Sequence, residues 1–422
     1  MEMKVAEQVK SISAMRPAGR PGIFHGWIIV GAAFALLAMS AGITYSTPVL
    51  FHLFEADFAI GRSQAAFIFS LSQVMAFAIG PVAGSLAERH GPRLVVGGGV
   101  VLLAAGLIGA SLARSYLPLV TCYGIAVGFG SGAIYVPLLG LIQRWFDRRR
   151  GLASGVATTG VSVGTLTFPI IAAGAADAFG WRALYVALAA TCLAIGLVAA
   201  GVLVADPAEH GLKADGDLDA ATARPDKVAG SGMSLGEALR DRQFYQLYVC
   251  SFGAAVLSFM AFVHLPQQAA EATGDRMVAA AIISVIGLAS LTARLGGGSW
   301  ADSIGRVAMV RLALLLMLAT SILWFAEPWG ASAYFVVAAL FGITYGLCIA
   351  LLPTVIADSF GSKEISRIIG TIYTAFALAG LLGPTAAGML RDRYGDYTIA
   401  LTLCIALSAL TLLASAGVSK RY

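Results

Sequence analysis

The sequence predicts an all-α polytopic membrane protein whose twelve transmembrane helices form two six-helix repeats. Of its 422 residues, 58% are hydrophobic and only 12% are charged, whereas soluble domains have about 25% charged residues. The mean hydropathy is +0.82. Apolar runs near or above the roughly 18 residues that a spanning helix needs recur along the whole chain, and one motif recurs at a fixed separation. These observations exclude a soluble globular protein.

The apolar runs define the predicted organisation. The twelve spans are 27–50, 64–86, 94–112, 117–142, 152–176, 183–204, 243–270, 277–299, 309–326, 332–357, 368–390 and 398–416. The polar start is not a signal peptide, because the run after it is too long and has no evident cleavage site. We therefore expect five parts: an N-terminal tail, a first bundle, a linker, a second bundle and a C-terminal tail, at 1–26, 27–204, 205–242, 243–416 and 417–422.

The basic residues predict the orientation. With both termini in the cytoplasm, the outer loops contain only six of the 28 Lys and Arg residues: Arg62, Arg114, Arg182, Arg276, Arg391 and Arg393. The positive-inside rule therefore predicts two cytoplasmic termini in a cell membrane. It also explains the net charge of +5 without nucleic acid, since the basic residues are scattered over short loops. The cluster at 148–150 is a topology anchor that could also bind anionic membrane lipid.

The five cysteines lie inside apolar runs and none has metal-ligand spacing. We therefore expect no disulfide, no metal and no cofactor. The long polar interval from Asp206 to Arg242 has linker composition, with Asp215, Asp217 and Asp219 among small residues. At its end, Ser234 and Glu237 form a capping-box pattern. This predicts a short helix on the inner membrane surface, or alternatively an extension of the seventh span.

The two halves repeat. The segment Gly84 to Gly91 aligns with Gly298 to Gly305 at an offset of 214 residues, and Phe146 aligns with Phe360 at the same offset. After a one-residue slip, Pro169 aligns with Pro384. Equal offsets at separate places indicate a duplicated six-helix unit, and such folds place the substrate site between the repeats near the middle of the membrane.

Each copy of the repeated loop has a tight glycine turn, an acidic residue near a helix end and a nearby base. These features predict a contact that latches the cytoplasmic face rather than a substrate site. The residues are Gly84, Glu88, Gly91 and Arg93 in one copy and Asp302, Gly305 and Arg306 in the other. In the fifth span, Gly160 and Gly164 predict close helix packing, which we favour over ligand contact.

Arg294 is the one basic residue that falls in neither a loop nor a tail, and it aligns with Gly80 of the first half. An arginine at membrane depth costs roughly 2.5–3.5 kcal/mol on insertion scales, so the pattern predicts a cavity-facing residue that meets an anion. The alternative is a side chain that snorkels to the cytoplasmic interface, since Trp300 ends the span only roughly 9 Å away.

A family resemblance follows from these motifs. The sequence resembles the monocarboxylate transporters of the major facilitator superfamily, in their bacterial form. The loops at 84–93 and 298–307 are similar to the superfamily's signature. The more specific match is the segment Arg144, Trp145, Phe146 through Arg149 to Gly155, with Gly160 and Gly164. Gly26 and Trp27 keep only the end of the family's motif in the first span. The resemblance runs from about residue 24 to residue 422 and implies the major facilitator fold.

The resemblance also implies a site. Arg294 matches the family's arginine that pairs with the substrate carboxylate, and Ser290 stands where the family often has a carboxylate linked to proton coupling. The lysine that animal members have in the first span is missing, and Tyr45 lies near its place. The eleventh span has Tyr373 but no second cation, which favours a substrate with one carboxylate.

Further candidates come from the chemistry of carboxylate binding. Neutral donors would be needed beside the arginine, and the candidates are Tyr45, Tyr123, Tyr135, Tyr345 and Tyr373; a packing role is an equal alternative for each. No acidic residue lies deep in a predicted span, so His264 is the candidate for proton coupling. Alternatively, His264 is a neutral residue that bonds across helices, or the proton travels with the substrate.

The sequence thus predicts a secondary transporter, not an enzyme, that moves a small lactate-like or pyruvate-like monocarboxylate together with a proton by alternating access in a bacterial inner membrane. An organic-anion exchanger without proton flux is the alternative. A membrane enzyme is disfavoured, because the spans contain no His, Asp or Glu pairs at ligand spacing. A sensor is disfavoured too, since the linker is too short for an output domain. An accessory subunit is left open.

Overall fold

The computed structural model describes residues 24–210, 212, 214–216, 232–274, 276–326 and 331–421. Residues 1–23 of the predicted tail, as well as Asp217 and Asp219 of the linker, lie outside these ranges. The first half contains α1 His25–Ser46, α2 Phe51–Phe58, α3 Arg62–Ala78, α4 Gly80–His90, α5 Pro92–Ser111, α6 Tyr116–Leu119, a π-helix Val120–Val127, α7 Gly128–Trp145, α8 Arg150–Phe179 and α9 Trp181–Gly201. The second contains α10 Leu235–Ala238, α11 Arg242–Thr273, α12 Arg276–Ile304, α13 Arg306–Ala326, α14 Ala331–Phe360, α15 Ile365–Tyr394 and α16 Thr398–Ser415.

Twelve membrane spans fit the described part of the chain. Eleven helical segments are long and apolar enough to cross a membrane, and α3 with α4 forms a twelfth span that is bent by 44°. The predicted all-α fold of twelve helices is confirmed. The single straight span predicted at 64–86 is corrected to this bent pair. Pro81 lies in the first turn of α4, where it lacks an amide hydrogen and would clash with the carbonyl four residues before it in a continuous helix.

The first and fifth spans pack very closely. A Cβ atom on Gly160 would lie 2.2 Å from the carbonyl oxygen of Phe34, and one on Gly164 would lie 2.0 Å from that of Ala38. Real Cβ atoms do not come so close to backbone oxygens, so both positions require glycine for the observed contact between α1 and α8. Small residues bring helix backbones together in this way within membranes.

The two halves meet at equivalent crossing points. A Cβ atom on Gly80 would lie 2.8 Å from the carbonyl oxygen of Gly370, and one on Gly155 would lie 2.3 Å from that of Arg294. Arg294 follows Gly80 by the repeat offset of 214 residues, and Gly370 follows Gly155 by 215. The crossing of α4 with α15 is therefore the counterpart of the crossing of α12 with α8. Arg294 lies directly at the interface between the halves.

The linker contacts both halves at one end of the bundle, which we call the basic end because it carries the loops at 146–149 and 361–364. The carboxylate of Asp215 accepts hydrogen bonds from the backbone amides of Asp147 and Arg148, at 3.0 and 2.7 Å. On the other half, the amide of Met233 donates to the carbonyl oxygen of Phe360 at 2.8 Å. The two loops are related by the repeat offset, so the linker binds equivalent places on the two halves.

The capping box predicted in the linker is present. The Ser234 backbone amide donates to Glu237 at 2.7 Å, and the Glu237 amide donates to the Ser234 hydroxyl at 3.4 Å. The backbone amide of Ser234, followed by its hydroxyl, lowers the pKa of the Glu237 carboxyl. The resulting helix α10 has only four residues and is separate from α11, so it is not an extension of the seventh span. Its place on the membrane surface stays a prediction.

The glycine contact between α1 and α8 gives a matched stability test. We expect Gly164→Ala to lower the thermal unfolding midpoint of the purified protein, because forced overpacking costs about 1–3 kcal/mol. Gly174→Ala on the same helix is the control, since a Cβ atom there would meet nothing within 4 Å and alanine favours a helix over glycine. An unchanged midpoint for Gly164→Ala would contradict the close packing.

Candidate functional site

Arg294 lies in the interior of the bundle, fully buried on α12. Its Nη1 donates to the carbonyl oxygen of Thr158 on α8 at 2.5 Å, and its guanidinium lies 5.2 Å from the centre of the Tyr345 ring. Its Nε and Nη2 have no hydrogen-bond partner among the described residues. The side chain therefore does not snorkel to an interface, which removes the alternative interpretation of its position.

These contacts leave the charge of Arg294 only partly compensated. One carbonyl and one aromatic face contribute dipole and cation–π attraction, but neither carries a negative charge. A buried donor without a partner is unfavourable by about 1–3 kcal/mol, and more for a charged group. An anion that reached Nε and Nη2 would satisfy both donors with the paired geometry that guanidinium groups form with carboxylates.

A cavity of about 90 Å³ lies beside this arginine, between the halves. One water needs about 10–15 Å³ of such space, so the cavity holds several water-sized groups. Its described lining contains no charged residue: Leu37, Ser40, Ala41, Thr44, Tyr45, Gln73, Ala76, Phe77, Ser131, Tyr135, Val161, Ser258, Phe259, Phe262, Tyr345, Ile349 and Phe376. Both halves contribute to it.

Arg294 is not itself part of that lining, and Tyr345 connects the two. The Tyr345 ring lines the cavity on one side and contacts the guanidinium on the other. The phenols of Tyr45 and Tyr135, which also line the cavity, are close enough to Arg294 to interact with it electrostatically. The prediction of a cavity-facing arginine is thus corrected to an arginine beside the cavity, next to Tyr345.

The remaining predicted ligands fall into two groups. Tyr45, Tyr135 and Tyr345 line the cavity, as described above. Ser290 lies one helical turn before Arg294 on α12, and its buried hydroxyl has no described partner, yet it does not line the cavity. Tyr373 lies behind the wall, with its ring 4.8 Å from that of Phe376 and its buried hydroxyl without a described partner.

Tyr123 lies elsewhere, which corrects its prediction as a ligand. Its hydroxyl bonds to Thr47 and lies 3.4 Å from the carbonyl oxygen of Ile43, and its ring stacks on Tyr185 at 5.6 Å. These partners all belong to the first half and satisfy the phenol locally. The packing alternative therefore describes Tyr123 better than a ligand role.

Sequence reasoning missed several polar residues of the cavity, among them Gln73 and Ser131. The Ser131 hydroxyl is buried without a described partner, whereas the Thr44 and Ser258 hydroxyls donate to carbonyl oxygens of their own helices at 2.9 and 2.6 Å. Ser131 therefore contributes a hydroxyl without a described partner to the cavity wall. Single serines are common in apolar helices, so the sequence carries no signal that separates it from the others.

His264 is buried between helices of the second half, away from the cavity lining. Its Nε2 lies 3.1 Å from the carbonyl oxygen of Pro384, which can only accept, so Nε2 donates. In a neutral ring, Nδ1 then accepts from the Tyr397 hydroxyl at 3.0 Å. The geometry thus agrees with the alternative interpretation, a histidine that bonds across helices.

Two acidic residues at the basic end join the halves by contacting helix N-termini. Asp302 accepts from the amides of Gly151 and Leu152 at the start of α8, at 3.0 Å each. Glu88 accepts from the amide of Ser366 at the start of α15, at 3.0 Å. Because a helix N-terminus carries partial positive charge, each contact is favourable. Since each acid reaches across to the opposite half, the pair forms a reciprocal latch.

The bases of this latch differ between the halves. Arg306 donates to Asp302 at 2.8 Å, as its position suggested. In the first half, Arg93 is exposed, and Glu88 pairs with Arg144 of α7. Gly91 and Gly305 form the predicted turns, with φ of +83° and +113°, a region that favours glycine.

A buried carboxylate that the sequence reasoning overlooked completes the latch. Asp358, at the end of α14 and only 2% exposed, binds Arg306 at 2.9 Å and Arg150 of the other half at 2.8 Å. It lies one residue beyond the predicted tenth span, within the last turn of α14 as the structure has it. Asp358 corresponds to Arg144 in the repeat, which means that the two copies of the latch carry opposite charges at this position.

Comparison with known proteins identifies the family. The model of the Major Facilitator Superfamily matches residues 30–384. The chain belongs to this superfamily. Within it, the chain is homologous to monocarboxylate transporters: monocarboxylate transporter 11 of Mus musculus is 30% identical over 402 residues, covering 92% of this chain and 86% of the mouse protein. Monocarboxylate transporter 3 of Rattus norvegicus is 29% identical over 390 residues, covering 91% and 78%.

Solved structures agree on the fold of this superfamily member. A proton:xylose symporter superposes with a TM-score of 0.73 at 14% identity, covering 94% of this chain and 96% of the symporter. The Escherichia coli fucose:proton symporter gives a TM-score of 0.70 at 14% identity, covering 93% and 98%. Such low identity shows the fold alone. The chain is a multi-pass transporter and not an enzyme, while its bacterial origin and the side that its termini face stay predictions.

The latch at the basic end can be tested by removing its charges. We expect Asp302→Asn and Glu88→Gln each to lower the thermal unfolding midpoint, because a charge at a partly buried helix N-terminus contributes about 0.3–2 kcal/mol. The double variant should lose more than either single one. Glu209→Gln is the control, since Glu209 is exposed at the same end. Equal midpoints for all variants would show that the contacts do not hold the halves together.

Proposed function

We propose that this superfamily member is a secondary transporter of small monocarboxylates, such as lactate or pyruvate. The observation that carries the proposal is Arg294: a fully buried guanidinium at the interface of the halves, with two donors that have no described partner. A single carboxylate supplies one negative charge and two acceptor oxygens, which is what this group lacks. The homologous monocarboxylate transporters support the same substrate class.

The surroundings of Arg294 favour one carboxylate rather than two. The described cavity lining has no second cation, and a second desolvated carboxylate there would find no charge partner. A hydroxyl or keto oxygen on the substrate would find neutral donors instead, from Ser131 and the phenols of Tyr45, Tyr135 and Tyr345. We propose that Tyr345 turns away from Arg294 when the carboxylate binds, which joins the guanidinium to the cavity.

Transport would proceed by rocking of the halves about this site. The contacts at the basic end, from Asp302 to α8 and from Glu88 to α15, join the halves on one side of the cavity. We propose that the basic end faces the cytoplasm and that the latch opens during each transport cycle. Alternating access of this kind exposes the site to one side at a time.

We propose that transport is coupled to proton movement. His264 is the candidate, and its buried bonds to Pro384 and Tyr397 join α11 to α15 and to the start of α16. A proton on Nδ1 would turn that nitrogen from acceptor to donor and change the bond to Tyr397. The alternative is an organic-anion exchanger in which no proton moves.

Arg294 gives the decisive transport experiment. We expect Arg294→Ala to abolish uptake of lactate and pyruvate into proteoliposomes, and Arg294→Lys to reduce it at least about tenfold, because lysine lacks the planar pair of donors. Arg93→Ala, which changes an exposed arginine, is the control. Thermal unfolding should show that each variant is folded. Full uptake of every tested acid by folded Arg294→Ala would overturn the proposed function.

A pH gradient separates symport from exchange. With proton symport, an imposed gradient, acidic outside, should drive accumulation in proteoliposomes that contain no internal anion. His264→Gln should weaken this accumulation more than it weakens exchange of labelled for unlabelled substrate. Exchange without any response to the gradient would favour the exchanger, and an unchanged response in His264→Gln would remove this residue from the coupling.

A further inference from the structure

Aromatic rings form a large part of the cavity wall beside Arg294. Seven of the seventeen lining residues are Phe or Tyr, whereas aromatic residues make up 9% of the chain. The other lining residues are aliphatic side chains or small neutral polar ones. A propanoate-sized or lactate-sized anion would offer only one or two carbon atoms to this wall. Most of the aromatic surface would then have no partner in the substrate.

Five of these rings form two groups that are held by contacts between their members. In one group, Phe262 meets Tyr345 edge to face, with ring centres 5.2 Å apart at 83°. In the other, Phe77 meets Tyr135 edge to face at 6.0 Å and stacks on Phe376 at 5.2 Å. The rings of the second group hold each other in place and present a preorganised surface, so binding to them requires little further ordering, whereas Tyr345 of the first group moves when the carboxylate binds.

The two groups together involve helices of both halves. Phe77 and Tyr135 belong to α3 and α7 of the first half, whereas Phe262, Tyr345 and Phe376 belong to α11, α14 and α15 of the second. A flat group between them would therefore contact both halves at once. Aromatic rings are well suited to this position, because ring pairs gain attraction beyond that from the area they bury.

We propose that the preferred substrates are aromatic monocarboxylates, with the carboxylate on Arg294 and a single ring between the two aromatic groups. This inference rests on the proposed function and specifies its substrate class. The size of the cavity favours a single ring: about 90 Å³, at about 10–15 Å³ for each water-sized group, is space for about six to nine such groups, which suits the six carbon atoms of one ring. Tyr345 contacts the arginine and lines the cavity, so its movement away from Arg294 joins the carboxylate site to the ring site.

Binding of four simple acids to the purified protein tests the inference. Benzoate carries one planar ring, cyclohexanecarboxylate carries a saturated ring of similar size, and propanoate and lactate carry no ring. At pH 7.5 all four are ionised, since carboxyl groups titrate near pH 4. We expect the dissociation constant of benzoate to be at least about tenfold lower than those of propanoate and lactate, and at least about threefold lower than that of cyclohexanecarboxylate. A fifth acid, 2-naphthoate, carries two fused rings and should bind more weakly than benzoate.

Either of two results would overturn the inference. Lactate or propanoate that binds as tightly as benzoate would show that the rings do not select the substrate. Equal binding of cyclohexanecarboxylate would show that apolar volume matters and aromatic character does not. Because benzoate crosses lipid when protonated, competition with labelled lactate uptake should accompany the binding measurement, with protein-free liposomes as the blank.

Variants on the two walls separate this inference from the proposed function. Phe376→Leu and Phe262→Leu should each weaken benzoate binding about fivefold and leave lactate binding within about twofold. Phe325→Leu is the control, because Phe325 is 44% exposed on the outside of the bundle. Arg294→Lys should weaken all the acids alike. If Arg294 is required but the wall variants bind benzoate normally, only the aromatic preference fails; if Arg294 is not required, the proposed function fails with it.

Discussion

A buried guanidinium with uncommitted donors is the constraint on which the central part of this molecule depends. Arg294 is removed from solvent, and its described partners are one backbone carbonyl and one ring face. A charge in this state is tolerated only where the fold holds it in place. Here, the crossing of α8 and α12 provides this support, because Gly155 lets the backbone of α12 approach α8 directly. The Nε and Nη2 donors of Arg294, which have no described partner, are where the proposed anion would bind.

The duplicated fold allows the crossing of α12 with α8, which carries Arg294, to be compared with the equivalent crossing of α4 with α15. At the equivalent crossing, Gly80 meets Gly370 and no charge is present. The close contact of the helices is therefore a property of the scaffold, and the arginine is an addition to one copy of it. The latch shows the same pattern: acids contact helix N-termini in both copies, whereas Asp358 takes the place that corresponds to Arg144. Symmetry accounts for the framework, and departures from it mark the residues with specific roles.

The parts that the sequence predicted well are those with a local signature. Apolar length predicted the spans, the offset of 214 residues predicted equivalent crossings, and Ser234 with Glu237 predicted a capping box. The parts it missed depend on contacts between distant segments. The partner of Arg294 is the carbonyl of Thr158, and a backbone carbonyl has no sequence signature at all. Glu88 pairs with Arg144, which is distant in sequence, because α7 packs against α4. The order of residues along the chain does not reveal this contact.

Arg294 and the latch residue Asp302 lie on the same pair of helices, and in the proposed transport cycle this would link substrate binding to movement of the halves. Arg294 and Asp302 are eight residues apart on α12, or about 12 Å, and both bind α8: one through the Thr158 carbonyl, the other through the amides at its start. A carboxylate that draws the guanidinium away from Thr158 breaks one of these two polar ties. An anion that binds better when this tie is broken must, by linkage, favour separation of α8 from α12. At the crossing of α4 with α15, glycine stands in place of the arginine, so under the proposed function only the crossing of α12 with α8 would respond to the substrate.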